Sequence, residues 1–525
     1  MQLPFSVITT ILAAVASVTS AANIDASSLN NGEYKCLGTF IFGRHNDRTS
    51  KPATVLTTNG ARNQVRAGNF YRERYFGLNG ENSTVDSDYI ISGLNSEGYF
   101  IYGDTYAQAP ASSVIEYSQI SFLQGLYPPS TAANYNVTLE DSQKAGLSNG
   151  TTVISPFDGY QYVFMDIQDE TSDDYYLIKG DTNCPSSTKA IKTYLKSDDF
   201  QNVNSSTYDF YQSLSSILPE KQFPSYNLNF GQAYQIFDYV NVNWIHDDDK
   251  PSSWNSTLLF QLRTLADAYQ WGIANAATHN ATIGGQTMLG AVYKYLNTTK
   301  VEGSPYINYF TGSYNTMNQM FSLMQMDKVS ENFTGLPDYG ATLVWDLLQE
   351  SSSNDYYVQF SFMNGTTPDN GTPLIAYPEF GSSDTLMSWS DFETAIKNVS
   401  ILELSNWCST CNVSIADAPQ CAKYSDAYEF GTQLSDKGVD LKEVASGDYS
   451  SLDIKKSSLT KAGAGGIGAG VTIFVFAVVG ALAWLFCKSR KNSKKQYDDS
   501  VLPTSVHSKD EVSHKHDQVS SSSTE

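Results

Sequence analysis

Residues 462–487 form a run of 26 without a single charge. About 20 apolar residues are enough to cross the ~30 Å hydrocarbon layer of a bilayer. The most apolar part is 471–486, and Lys488, Arg490, Lys491, Lys494 and Lys495 follow at once. Basic residues that flank a span stay on the cytoplasmic side. The chain is therefore expected to cross a membrane once through a transmembrane helix at 462–487, with everything before it outside. A glycolipid anchor fits poorly, because a polar stretch follows the span. Residues 1–22 have an apolar middle and then small residues, the pattern of a signal peptide cleaved after Ser20, Ala21 or Ala22. Asn-x-Ser/Thr occurs at Asn82, Asn136, Asn149, Asn204, Asn255, Asn280, Asn297, Asn332, Asn364, Asn370, Asn398 and Asn412, always before the span. N-linked glycans are the expected partners of such an exterior. The localisation that follows is a single-pass type I membrane protein. Plasma membrane is the default, and a vacuolar or other secretory-pathway membrane is equally compatible.

Charge and cysteine agree with that division. The chain carries 33 Lys+Arg against 55 Asp+Glu. The tail, 488–525, has seven Lys/Arg and six Asp/Glu, so 26 basic and 49 acidic residues remain before it. Such a surface repels a nucleic-acid duplex, and no nucleic-acid partner is expected. The tail ends in a serine-rich run and reads as disordered, and 435–461 reads as a stalk. Five cysteines precede the span: Cys36, Cys184, Cys408, Cys411 and Cys421. Cys408 and Cys411 have the spacing of a zinc half-site, but no second pair follows them. Disulfides suit the outer compartment better. Five is odd, and the connectivity stays open. Neither a metal nor a cofactor is expected.

Between residues 23 and 434 the pattern alternates. Residues 36–43 read as a buried strand, ending just before Arg44-His45-Asn46-Asp47-Arg48. Residues 56–75 have helical spacing, 89–91 and 99–102 read as short strands, and 114–127 reads as a helix stopped by Pro128 and Pro129. The region from about 130 to 230 is ill-patterned. Helices are expected again at 258–277 and 285–296, a strand at 306–310, and a hairpin at 341–348 and 356–362. Strand–helix alternation around such a middle predicts an α/β domain with a largely helical cap insertion at about 130–282. In open α/β sheets ligands bind beyond the carboxyl ends of the strands, which draws attention to Arg44-His45.

Several segments, in order, resemble the histidine acid phosphatases, the branch of the histidine phosphatase superfamily that includes phytases. Their opening motif, strand–Arg-His-Gly-x-Arg-x-Pro, is similar to Arg44-His45-Asn46-Asp47-Arg48 with Pro52 beyond. Leu56-Thr57, Gly60, Gly68 and Arg72-x-Arg74-Tyr75 resemble the next helix. Residues 122–129 resemble the helix end before the cap, 283–292 the helix on return, and 335–347 a late strand. Cys408, Cys411 and Cys421 resemble a cysteine cluster of fungal members. The likeness spans about 36–425. It implies a phosphoglycerate-mutase-like three-layer α/β/α domain. It also implies His45 as a nucleophile that takes a phosphoryl group, with Arg44 and Arg48 cradling the phosphate oxygens.

The same likeness implies three more parts that look lost. A third arginine belongs on a strand before the cap, and Tyr102 stands near its position. A His-Asp pair belongs after a later strand, and Tyr314 and Asn315 stand there instead. The glycine after the nucleophile is Asn46, expected to crowd the phosphate. Loss of a general acid alone slows such chemistry by typically ~10²–10⁴. The first expectation is thus a cell-surface, phosphatase-like glycoprotein with a catalytically degraded site that holds a phosphorylated, sugar or other small ligand. The second is a working acid phosphomonoesterase with Asp47, Asp104 or Asp338 as substitute proton donor. The third is a structural or ligand-binding surface protein. His246-Asp247 is a rival His-Asp pair, but it falls inside the cap. Gly146-Leu147-Ser148-Asn149-Gly150 fits a nucleophile elbow in letters only, since no strand precedes it. His279 reads as an exposed loop residue.

Overall fold

The computed structural model describes residues 32–424, apart from 52–53, 82, 130–146, 152, 154, 248–249, 276–278, 367–372 and 415–416. They fall in the first of two units into which the chain divides, Met1–Ile454. The signal peptide, stalk, span and tail expected from the sequence lie outside the described residues. Among the described residues no helix is long and apolar enough to cross a membrane.

Strand β1 (Tyr34–Arg44) is the centre of the domain. Its run Phe40-Ile41-Phe42 is fully buried, as in a strand covered on both faces. β2 (Thr105–Pro110), β3 (Asp166–Gln168) and β4 (Ile307–Gly312) lie parallel to it in the order β3-β2-β4-β1. The sheet continues antiparallel through β5 (Thr342–Glu350) and β6 (Tyr356–Met363), the expected hairpin. Short strands Ile375–Ala376 and Leu386–Ser388 both pair with β6.

Successive residues of a strand face opposite sides, and here each side has its own core. Phe40, Phe42, Phe310, Leu343 and Trp345 pack with the later helices. Ile41, Tyr309 and Val344 pack with α1 (Thr58–Phe76) and α2 (Ser113–Leu126). Where those two helices cross, a Cβ on Gly68 would stand 2.0 Å from Phe122 O and one on Gly125 the same distance from Val65 O, so only glycine permits the approach.

The cap has its own core. α3 (Ala233–His246) and α4 (Ser256–Ala274) bring Phe237, Leu262 and Leu265 together with Phe200, Tyr211 and Phe230 from shorter helices before them. α5 (Ile283–Glu302) then returns beneath the sheet, and α6 (Tyr314–Leu323) follows β4. The insertion expected at about 130–282 is not uniformly cap: β3 rejoins the main sheet, and Leu177 and Ile178 lie in the main core.

Two strands expected from the sequence are absent. Residues 89–91 and 99–102 lie in irregular loops whose buried Tyr89, Ile91 and Phe100 anchor them onto the α1–α2 core. The strand is β2, whose mixed Thr-Tyr-Ala-Gln-Ala-Pro sequence has neither an alternating nor a continuous apolar pattern. The open connectivity resolves as Cys184–Cys411 and Cys408–Cys421, with Cys36 free and buried.

Candidate functional site

The motif Arg44-His45-Asn46-Asp47-Arg48 leaves the carboxyl end of β1, and backbone bonds clamp it from both sides. His45 N donates to Gly312 O at 3.0 Å, Arg44 N donates to Ala341 O at 2.8 Å, and Gly340 N donates to His45 O at 3.3 Å. Gln64 of α1 donates to Arg44 O at 3.1 Å. The start of α1 closes on the loop so tightly that a Cβ on Gly60 would lie 2.3 Å from Asp47 O.

His45 Nδ1 is 2.9 Å from the carbonyl oxygen of Asn46. A carbonyl only accepts, so this partner assigns the proton to Nδ1 and the free lone pair to Nε2. Burial, with Arg44 next, holds the imidazole well below its usual pKa. The ring is thus neutral at neutral pH, the protonation state a nucleophilic histidine requires.

The two arginines are held differently. Arg48 is buried, and its Nη2 donates to both carboxylate oxygens of Asp238 on α3, at 2.7 and 2.9 Å. Its Nη1 donates to Thr49 O at 3.0 Å. Burial opposes the charge, but the charge and hydrogen bonds of Asp238 help outweigh it and raise the Arg48 pKa. Arg44 has no carboxylate partner among the described residues. Its guanidinium lies 4.4 Å from the Tyr339 ring centroid and 5.1 Å from that of Tyr314, within cation–π reach of both. Its Nη1 donates to Pro337 O, and its buried Nε has no partner.

Beside Arg44 lies a cleft of about 400 Å³, lined by neither His45 nor Arg48. Its floor is Arg44, Asn46 and Asp47. α3 supplies Tyr234, Asp238, Asn241 and Ile245 from one helical stripe, and the far rim is Asp338, Tyr339, Asn364 and Thr366. Tyr234 and Tyr314 pack at 4.8 Å between centroids. Burial raises the pKa of all three tyrosines near Arg44, namely Tyr234, Tyr314 and Tyr339, so they remain neutral phenols.

Of the residues singled out in the sequence, Arg44, His45, Arg48 and Tyr314 come together. The pairing of Arg44 with Gly312 across β1 and β4 explains this, because Tyr314 opens the helix after Gly312. Asn315 is turned elsewhere: its Nδ2 donates to Asp181 at 2.8 Å. Asn46 bonds Thr366 through Nδ2 at 2.9 Å and takes the Asp47 N–H on Oδ1 at 2.9 Å.

Tyr102 is a correction. It is exposed, bridges to Thr105 before β2 begins, and packs edge-on against Phe164. The motif end of β2 is Pro110, roughly 20 Å away at ~3.3 Å per residue. Thr105–Pro110 and Ser113–Leu126 contain no arginine or lysine. Asp104 lies at the same wrong end. Burial pushes its carboxyl up to about 6, but its backbone serves the start of β4 and its side chain is remote from the cleft.

Asp47 and Asp338 do line the cleft, and each is engaged. Asp338 accepts from Arg263 at 3.0 Å. Asp47 accepts from Thr57 Oγ1 at 2.6 Å and lies 2.9 Å from His246 Nε2. His246, set aside in the sequence because of its place in the cap, is carried to the motif by the last turn of α3. Its partner is Asp47, not its neighbour Asp247. The sequence reading also missed Tyr234, Asp238 and Tyr339. For Asp238 a signal exists: it is the one acid inside the otherwise uncharged helix 233–245. Leu147, Ser148, Asn149 and Gly150 form an exposed turn rather than a nucleophile elbow. No group of three or more potential metal ligands occurs among the described residues.

No family model and no curated protein matches the chain. Solved structures do. The phytase of Klebsiella sp ASR1 is 13% identical, with 70% of this chain and 96% of that one covered at a TM-score of 0.47. The apo phytase of Hafnia alvei is 14% identical, with 73% and 99% covered at 0.45. The multiple inositol polyphosphate phosphatase of Bifidobacterium longum, in complex with inositol hexasulfate, is 12% identical, with 74% and 96% covered at 0.41.

Proposed function

We propose that this domain is the outer part of a membrane-tethered glycoprotein of the histidine acid phosphatase kind whose site no longer turns over phosphomonoesters and whose cleft holds a small polar ligand. The observation that carries this reading is the Arg48–Asp238 pair. A carboxylate already occupies the guanidinium that would grip a phosphate, and a phosphate entering there must displace a buried acid. Breaking a buried ion pair costs about 3–5 kcal/mol, more than the roughly 1.5–3 kcal/mol that a charged hydrogen bond returns. The other arginine of the motif, Arg44, lies among tyrosines, Arg263 on the cleft wall is paired with Asp267 and Asp338, and β2 and α2 supply no further arginine. A nucleophile in the right protonation state therefore lacks the charge that would stabilise phosphoryl transfer.

A second reading is a working phosphomonoesterase in which the His246–Asp47 pair delivers the proton to the leaving group. The 2.9 Å contact beside the motif favours it. Hydrolysis of p-nitrophenyl phosphate and of an alkyl phosphate by the purified glycosylated full-length protein, across acidic to neutral pH and beside His45→Ala, separates the two. The degraded site gives no activity above the variant with either substrate. Activity lost in His45→Ala sinks the first reading. If that activity extends to the alkyl phosphate and His246→Ala removes only this part, the second reading holds.

A further inference from the structure

We propose that Asn364 carries an N-linked glycan that covers the mouth of the Arg44 cleft from the domain's own rim. Asn364-Gly365-Thr366 is an acceptor sequence, and it stands directly after β6, whose last residue is Met363. Asn364 is exposed and is itself part of the cleft lining, as are Gly365 and Thr366. The last residue of the triplet is tied to the site floor. Thr366 Oγ1 accepts from Asn46 Nδ2 at 2.9 Å, and Asn46 follows His45.

The Asn364 side chain is oriented by one bond: its Oδ1 accepts the Asp338 N–H at 2.8 Å. No described residue takes a hydrogen bond from its Nδ2, the atom that would be glycosylated. The Oδ1 contact therefore fixes the direction from which a sugar leaves while keeping Nδ2 open.

The transfer needs a polyprenyl-pyrophosphate-linked oligosaccharide, the donor class used in the secretory pathway. Nδ2 forms a bond to the anomeric carbon, the pyrophosphate leaves with the bonding pair, and the proton lost from Nδ2 passes to a base of the transferase. The chemistry of the cleft suits what would then hang over it. Its charged lining residues are Arg44, Arg263, Asp47, Asp238 and Asp338, and each of the three aspartates has a partner. Asn59, Asn63 and Asn241 add neutral amides that can bond to sugar hydroxyls and acetamido groups. An amide-rich mouth beside an attachment point offers a neutral sugar hydrogen-bond partners without asking it to desolvate a charge of its own.

The inference rests on the reading that this domain faces the lumen or the outside, and the test separates the two. The full-length protein from a glycosylating eukaryotic host is mapped for glycopeptides. Asn241→Cys, placed within the cleft, is then labelled with a polyethylene-glycol maleimide, with labelling read at residue 241 by peptide mapping. Labelling is compared before and after endoglycosidase treatment, and beside a version that also carries Asn364→Gln. The expected results are occupancy at Asn364 and labelling on the order of tenfold faster once that glycan is gone, as for any encounter freed of a steric block. Glycans at other sites but not at Asn364 overturn this inference and leave the topology intact. No glycan anywhere overturns both. Occupancy at Asn364 with an unchanged labelling rate shows that the sugar points away from the cleft and overturns the inference as well.

Discussion

Arg44 and Arg48 stand four residues apart in one motif, yet only Arg48 has a carboxylate. The difference lies in Asp238, which reaches Arg48 from α3 across 190 residues of sequence. If Asp238 fills the place of a phosphate, then Asp238→Asn should open it. The amide keeps an acceptor for Nη2 but gives up the charge. Inorganic phosphate, or its analogue vanadate, should then bind at least about tenfold more tightly than to the unaltered protein, since one charged hydrogen bond is worth about 1.5–3 kcal/mol. Titration calorimetry measures this. Thermal stability without phosphate should fall, because Arg48 keeps its charge in a buried place, and added phosphate should restore part of it. A variant that binds phosphate no better than the parent would show that Asp238 is a structural clamp and that Arg48 never faces a ligand.

At the scale of elements, what the sequence displayed follows from how local each cause is. β1 was legible because a strand buried on both faces must be a continuous apolar run. α1 and α2 were legible because their apolar spacing repeats along a single stripe, and the β5–β6 hairpin because two such strands flank a polar turn. β2 was not, since it is a short strand whose Thr105 is satisfied by Tyr127, beyond the end of α2, and the local pattern cannot show that. The motif end of the site was readable as a resemblance. The cap's contribution was not: an acid in a helix looks the same whether it faces water or a distant arginine. The disulfides belong with the unreadable part, because spacing does not choose among pairings. They also differ in what they hold. Cys184–Cys411 closes a span of 227 residues and ties the start of the helical cap to the helix Leu404–Cys411, whereas Cys408–Cys421 closes 13. Chain-entropy arguments give about 5 kcal/mol for the first loop and about 3 for the second. Denaturant titration of Cys184→Ser/Cys411→Ser should therefore show the larger loss, and Cys408→Ser/Cys421→Ser the smaller. Equal losses, or the reverse order, would mean that native packing around each bridge, and not the unfolded chain, sets its contribution.

At the scale of the whole chain, we propose that the acidic domain and the basic-flanked tail lie on opposite sides of one membrane. The argument is electrostatic as well as hydrophobic. Residues 462–487 are long enough to span, and the five Lys/Arg that follow within eight residues of Cys487 are the groups retained on the cytoplasmic side. Upstream, 49 acidic against 26 basic residues give a surface repelled by an anionic leaflet, so only a covalent tether holds such a domain near a membrane. The two disulfides among the described residues, both before the run, suit an oxidising compartment and point the same way. Protease added to intact cells should therefore digest the domain and spare an epitope placed in the tail. The epitope should become accessible to antibody only after permeabilisation, and the protein should resist extraction by alkaline carbonate. An epitope cut or stained on intact cells would reverse the orientation. Release of the whole chain by carbonate would remove the span, and with it the premise that glycans and disulfides share one side.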